Sequence, residues 1–208
     1  MAAFRATSRL GPCLAAAGIL LAILTACGGG PTLTGADLGK QPAPDFTLTD
    51  QRGQTVRLSQ FRGQAVVLTF IYTHCPDVCP ATAKKLRTVD ELLPPTAREH
   101  VALLAVTIDP ARDTTAALQD FSRQHGLNDN PHWFALRGDG ATLASVWHTY
   151  GIYPGRMAVP ASPAAAGTYE LGHTDAVYVI DPQGRERVLV HSDLDPQTLA
   201  SDLAGLVG

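Results

Sequence analysis

Two stretches of the chain are apolar at nearly every position and rich in β-branched residues, Ala65-Val-Val-Leu-Thr-Phe-Ile-Tyr72 and Val101-Ala-Leu-Leu-Ala-Val-Thr-Ile108. Runs of this length without alternation fit strands buried on both faces at the middle of a helix-covered sheet. Between them, residues 80–93 space their apolar side chains as a helix does and meet a stop at Pro94-Pro95. Residues 114–125 predict a second helix, with Gly126 as its C-terminal stop. A short strand over 132–136, a helix over 141–150, strands over 176–180 and 187–190 about the turn Asp181-Pro-Gln-Gly184, and a closing helix over 195–206 follow. Ahead of all these, residues 46–49 and 55–58 flank a turn at 50–53 and read as an N-terminal hairpin. Residues 151–172 show no period and hold the low-complexity stretch 160–167, so they read as an inserted surface loop. The alternation of strands and helices predicts one α/β domain over 42–208, a central mixed sheet flanked by helices.

The start of the chain has a different pattern. Arg5 and Arg9 precede an apolar run over 13–24, which is shorter than the roughly 18–20 residues that span a bilayer comfortably. A positive start, a short apolar centre and a small-residue end predict a secretory signal over 1–26. Its end, Leu24-Thr-Ala-Cys27-Gly28, resembles the bacterial lipobox, which implies a lipidated Cys27 as the first mature residue. The Gly-, Thr- and Pro-rich segment up to residue 41 then reads as a flexible tether. The expected location is the extracytoplasmic face of the cell membrane, held there by lipid.

Composition narrows the function. The chain has 208 residues, 45% hydrophobic, too apolar for a disordered protein. Its net charge of −3 offers no basic stripe for nucleic acid. Of the four cysteines, Cys13 leaves with the signal and Cys27 is blocked by lipid, which leaves Cys75 and Cys79 as thiols in an exported, oxidising compartment.

Those two lie in Thr73-His-Cys-Pro-Asp-Val-Cys-Pro80, between the first buried strand and the first long helix. Pro80 suits the first helical position. Cys79 then falls at or near the N-cap, where the positive end of the helix dipole favours a thiolate. Two sulfurs so placed can share a soft metal ion or form a disulfide. The spacing C-x-x-x-C differs from the C-x-x-C of thioredoxin-like redox enzymes. Among seven histidines, His74 points away from Cys75 in an extended segment. His100, His125, His132, His148 and His191 read as ordinary surface or core residues. His173 ends the irregular loop just before the strand 176–180, where sites gather in α/β sheets, and is the candidate third donor.

Phe70-Ile-Tyr-Thr-His-Cys-Pro-Asp-Val-Cys-Pro80 resembles the signature of the Sco/SenC copper-binding proteins. Val106-Thr-Ile-Asp-Pro-Ala-Arg-Asp-Thr114 is similar to that family's second motif. Gly172-His-Thr-Asp-Ala-Val-Tyr-Val-Ile-Asp-Pro-Gln-Gly184 is similar to its third, and the resemblance covers roughly residues 42–206. It implies a thioredoxin-like fold with an extra N-terminal β-hairpin. It also implies copper, as Cu(I) or Cu(II), on Cys75, Cys79 and His173, with Asp109 supporting the site or capping a strand end. The implied function is that of a membrane-anchored chaperone delivering copper to the copper-bearing subunit of cytochrome c oxidase or to other copper proteins. The other reading is a thiol–disulfide reductase that uses Cys75 and Cys79 as its redox pair and keeps exported or copper-site cysteines reduced. Thioredoxin-like redox proteins usually carry a Pro before the strand facing their cysteines. Here that place holds His173-Thr-Asp175, which favours metal handling.

Overall fold

The two uninterrupted apolar runs become β4 (Ala65–Ile71) and β5 (Val101–Thr107), parallel neighbours buried at every position. The computed structural model describes Met1, residues 31–157 and residues 169–208. In chain order the remaining strands are β1 (Ala36–Asp37), β2 (Thr47–Asp50), β3 (Thr55–Arg57), β6 (Trp133–Arg137), β7 (Gly155–Met157), β8 (Glu170–Gly172), β9 (Val177–Ile180) and β10 (Glu186–Val190). The helices are α1 (Val78–Leu92), α2 (Pro95–Arg98), α3 (Thr115–Gln124), α4 (Gly140–Thr149) and α5 (Pro196–Val207).

Eight strands make one mixed sheet in the order β1-β10-β9-β4-β5-β6-β2-β3. Its centre, β4-β5-β6, is parallel, because each connection passes through helices. Both flanks are antiparallel: β9 pairs with β4, and the N-terminal hairpin β2–β3 attaches to β6. The core lies along the central strands and includes Leu68, Leu103, Leu104, Leu136 and the wholly buried Trp133. The Trp133 indole N–H is satisfied by the Ser122 hydroxyl at 2.9 Å. Helix α1 turns Leu86 and Val89 inward and packs along α5.

Three expectations change. The loop 151–172 is not irregular throughout: its ends pair as the antiparallel ribbon β7–β8, in register Gly155↔Gly172. Its low-complexity centre, 160–167, lies outside the described residues. The tether is partly structured, since Ala36 and Asp37 pair with Leu189 and Val188 at the edge of the sheet. Helix α1 begins at Val78, two residues before the start predicted from apolar spacing. Cys27 and the apolar run 13–24 also lie outside the described residues. No helix among the described residues is long and apolar enough to cross a membrane.

Candidate metal centre

The chain leaves β4 and enters α1 through a loop fixed by local hydrogen bonds. The Cys75 N–H donates to the Tyr72 carbonyl at 3.2 Å. The Asp77 carboxylate accepts the Val78 N–H at 2.6 Å and makes Asp77, not Cys79, the N-cap. Pro80 is therefore the third helical residue, a position whose N–H has no intrahelical partner to lose. Cys79 falls in the first turn, 1% exposed, and its backbone N–H donates to Cys75 Sγ at 3.2 Å.

This geometry separates the two sulfurs. Hydrogen bonding from the Cys79 side chain is the main force lowering the Cys75 thiol to about 6, helped by the backbone N–H groups of Cys79 and Asp77 and by the Tyr72 hydroxyl. Cys79 is pushed up, first because its own side chain serves Cys75 and then because it is buried. The expected assignment is thus reversed: the N–H groups at the helix end stabilise a Cys75 thiolate. Tyr72 is raised to about 12, chiefly by burial.

A buried carboxylate underpins the loop. Asp113 is wholly buried and accepts the Thr73 hydroxyl at 2.6 Å, the Thr73 N–H at 3.1 Å and the Thr107 hydroxyl. Burial raises its pKa, with those same hydrogen bonds pulling it down. Asp113 thus ties the residue before His74-Cys75 to the end of β5. Asp109, also buried, turns elsewhere: it pairs with Arg112 and accepts the Tyr169 hydroxyl at 2.7 Å. It holds the start of β8, and among the described residues no hydrogen bond directs it at the sulfurs.

His173 follows the last residue of β8 and is part-exposed. Its Nδ1 meets the Thr174 carbonyl at 2.8 Å. A carbonyl only accepts, so Nδ1 carries the proton of the neutral ring and Nε2 keeps a free lone pair. Among the described residues no group of three or more His, Cys, Asp or Glu side chains stands close enough to hold a metal ion. The structure brings Cys75 and Cys79 together and leaves His173 outside that pair. Tyr72 runs between them: its hydroxyl helps lower the Cys75 thiol and accepts the Leu171 N–H at 3.4 Å, two residues before His173. Two adjacent sulfurs, one favouring the thiolate, suit a soft cation.

Sequence reasoning passed over Tyr72, Asp113 and Tyr169. Asp113 lies inside the second motif and Tyr72 inside the first, so both had a signal. Tyr169 had none, because it stands at the edge of an unpatterned loop.

The SCO1/SenC family model matches residues 35–208. The mitochondrial SCO2 homologue of Bos taurus is 34% identical over 142 residues, covering 67% of this chain and 50% of that protein. A SCO2-like protein of Rickettsia felis is 26% identical over 163 residues, covering 77% of this chain and 75% of that one. The chain spans about half the length of the mammalian relatives it matches. Among solved structures, Bradyrhizobium japonicum ScoI with copper bound superposes with a TM-score of 0.68 at 29% identity, over 79% of this chain and 99% of that one. Apo Sco1 of Thermus thermophilus gives 0.68 at 30% identity, over 86% and 98%. The mixed sheet with flanking helices is accordingly the thioredoxin-like fold expected from the motifs. With the family model covering all but the first 34 residues, this chain belongs to the SCO1/SenC family.

Proposed function

We propose that the protein binds copper on Cys75, Cys79 and His173 and delivers it to the copper centre of cytochrome c oxidase. In this reading Cys27 is the lipidated first residue of the mature protein, after removal of residues 1–26, and holds it at the extracytoplasmic face of the membrane. The observation that carries the reading is the asymmetric thiol pair. Cys75 Sγ accepts the Cys79 N–H at 3.2 Å, and the neighbouring Cys79 side chain further lowers its thiol, so one sulfur is ready as a thiolate before any metal arrives. Relatives point the same way, since ScoI of Bradyrhizobium japonicum carries copper at 29% identity.

The residues divide the work. Copper supplies a soft acceptor for two sulfurs, and loading releases the remaining thiol proton of Cys79. Asp77 and Asp113 fix the loop that presents both sulfurs. His173 offers Nε2, with Nδ1 occupied by the Thr174 carbonyl, the arrangement that orients a histidine ligand.

The same asymmetry supports the second reading, a dithiol reductase: a thiolate near neutral pH attacks, and a buried neighbour resolves. The two separate on one variant. Reduced protein titrated anaerobically with Cu(I) beside His173→Ala is expected to hold one copper per chain, with affinity falling at least about tenfold in the variant. Equal or absent binding in both would sink the delivery reading. Disulfide exchange that survives His173→Ala would then identify the reductase.

A further inference from the structure

The ribbon that carries His173 has little to hold it. β7 and β8 are three residues each, lie apart from the main sheet, and the residues of β8 are only part-buried. A two-stranded ribbon of this size is marginal by itself. Besides Leu171, which packs on the core and donates its N–H to the Tyr72 hydroxyl, its anchorage concentrates on Tyr169, the residue before β8. Two guanidinium groups stack on the Tyr169 ring, Arg112 at 3.6 Å and Arg156 of β7 at 4.5 Å from its centroid. Its hydroxyl donates to Asp109 Oδ1 at 2.7 Å, and its carbonyl accepts from Arg112 Nη1 at 2.9 Å. Asp109 and Arg112 are themselves paired, and both belong to the loop after β5. One side chain therefore joins both strands of the ribbon to the rigid centre of the sheet.

We infer that Tyr169 is a positioning residue for His173: its clasp on Asp109 and Arg112 sets how far the His173 Nε2 reaches toward the two thiols. This rests on the copper reading above. The clasp lies four residues before the histidine, and its far end is fixed to β5, which runs beside the strand that leads to the thiols. Loosening it widens the range of positions open to the imidazole and leaves the Cys75–Cys79 loop, held by Asp77 and Asp113, as it is.

The test uses the full reduced chain with Tyr169→Phe, which keeps the ring's contact with both arginines and removes only the bond to Asp109. In the copper-free protein, amide exchange over 170–173 is expected to quicken by about fivefold or more while amides of β4 and β5 stay unchanged. Cu(I) affinity is expected to fall about tenfold, the scale of one charge-assisted hydrogen bond. Combined with His173→Ala, the same substitution is expected to cost nothing further, because the clasp acts only through the imidazole. A loss that persists without His173, or unchanged exchange over 170–173, overturns the inference. If wild type and His173→Ala bind copper alike, the copper reading fails on its own, and the exchange rates alone still decide whether Tyr169 holds the arm. Tyr169→Ala, which removes the whole clasp, must exceed Tyr169→Phe in the exchange readout; a smaller effect also overturns it.

Discussion

Cys75 and Cys79 stand four positions apart on one loop and meet opposite surroundings. Cys75 is part-exposed and collects donors, whereas Cys79 is buried and gives its hydrogen bond away. Because Cys75 is lowered to about 6, its thiolate fraction grows as pH rises through that value and is nearly complete at neutral pH. Iodoacetamide alkylation followed by mass spectrometry is therefore expected to label Cys75 first, with a rate that climbs near pH 6 and then levels. In Cys79→Ala the leading donor is gone, and the midpoint is expected to move upward by about one unit or more, toward the ordinary thiol value. A wild-type midpoint near an unperturbed thiol would contradict the geometry. The motif made the pair legible in the sequence, but not its polarity. Polarity depends on which residue caps the helix, and a shift of two positions moved the free N–H groups from one sulfur to the other.

At the scale of elements, that cap is a test case. Asp77 accepts the Val78 N–H and starts α1, which carries Cys79 in its first turn. Asp77→Ala is expected to cost about 1 kcal/mol, the usual worth of a lost N-cap, and to lower the melting temperature by about 2–4 °C. Fraying of that turn also exposes Cys79, so its alkylation is expected to quicken at fixed pH. No change in either would mean that the loop is held by Asp113 alone. Long elements were legible because their patterns are strong: β4 and β5 are buried throughout, and α5 ends within one residue of its expected boundary. The ribbon β7–β8 was hidden for a physical reason. Three-residue strands such as Glu170–Gly172 complete too little of a period to register, and this ribbon draws its order from Tyr169 and its distant partners.

At the scale of the molecule, strand order was not in the local pattern at all. Apolar runs announce buried strands, yet only tertiary pairing puts β9 and β10 beside β4 and sends β2–β3 to the opposite flank. The same pairing turns part of the expected tether into an edge. The chain runs along β10 from Thr34 to Ala43: Thr34 N–H binds Asp202 at 2.8 Å, Leu38 N–H binds the Arg187 carbonyl at 2.9 Å, and the Gln41 carbonyl accepts the Glu186 N–H at 2.8 Å. This segment occupies the outer hydrogen-bonding groups of β10, whose Val188 is buried. Deleting residues 31–41 would leave that strand as an open edge with apolar side chains, the condition under which sheets recruit a second copy. The truncated protein is expected to melt at least about 5 °C lower, since several hydrogen bonds worth about 1 kcal/mol each are lost together. It is also expected to show concentration-dependent dimers by light scattering where the full chain does not. A truncated protein that stays monomeric with an unchanged melting temperature would show that β10 needs no cover.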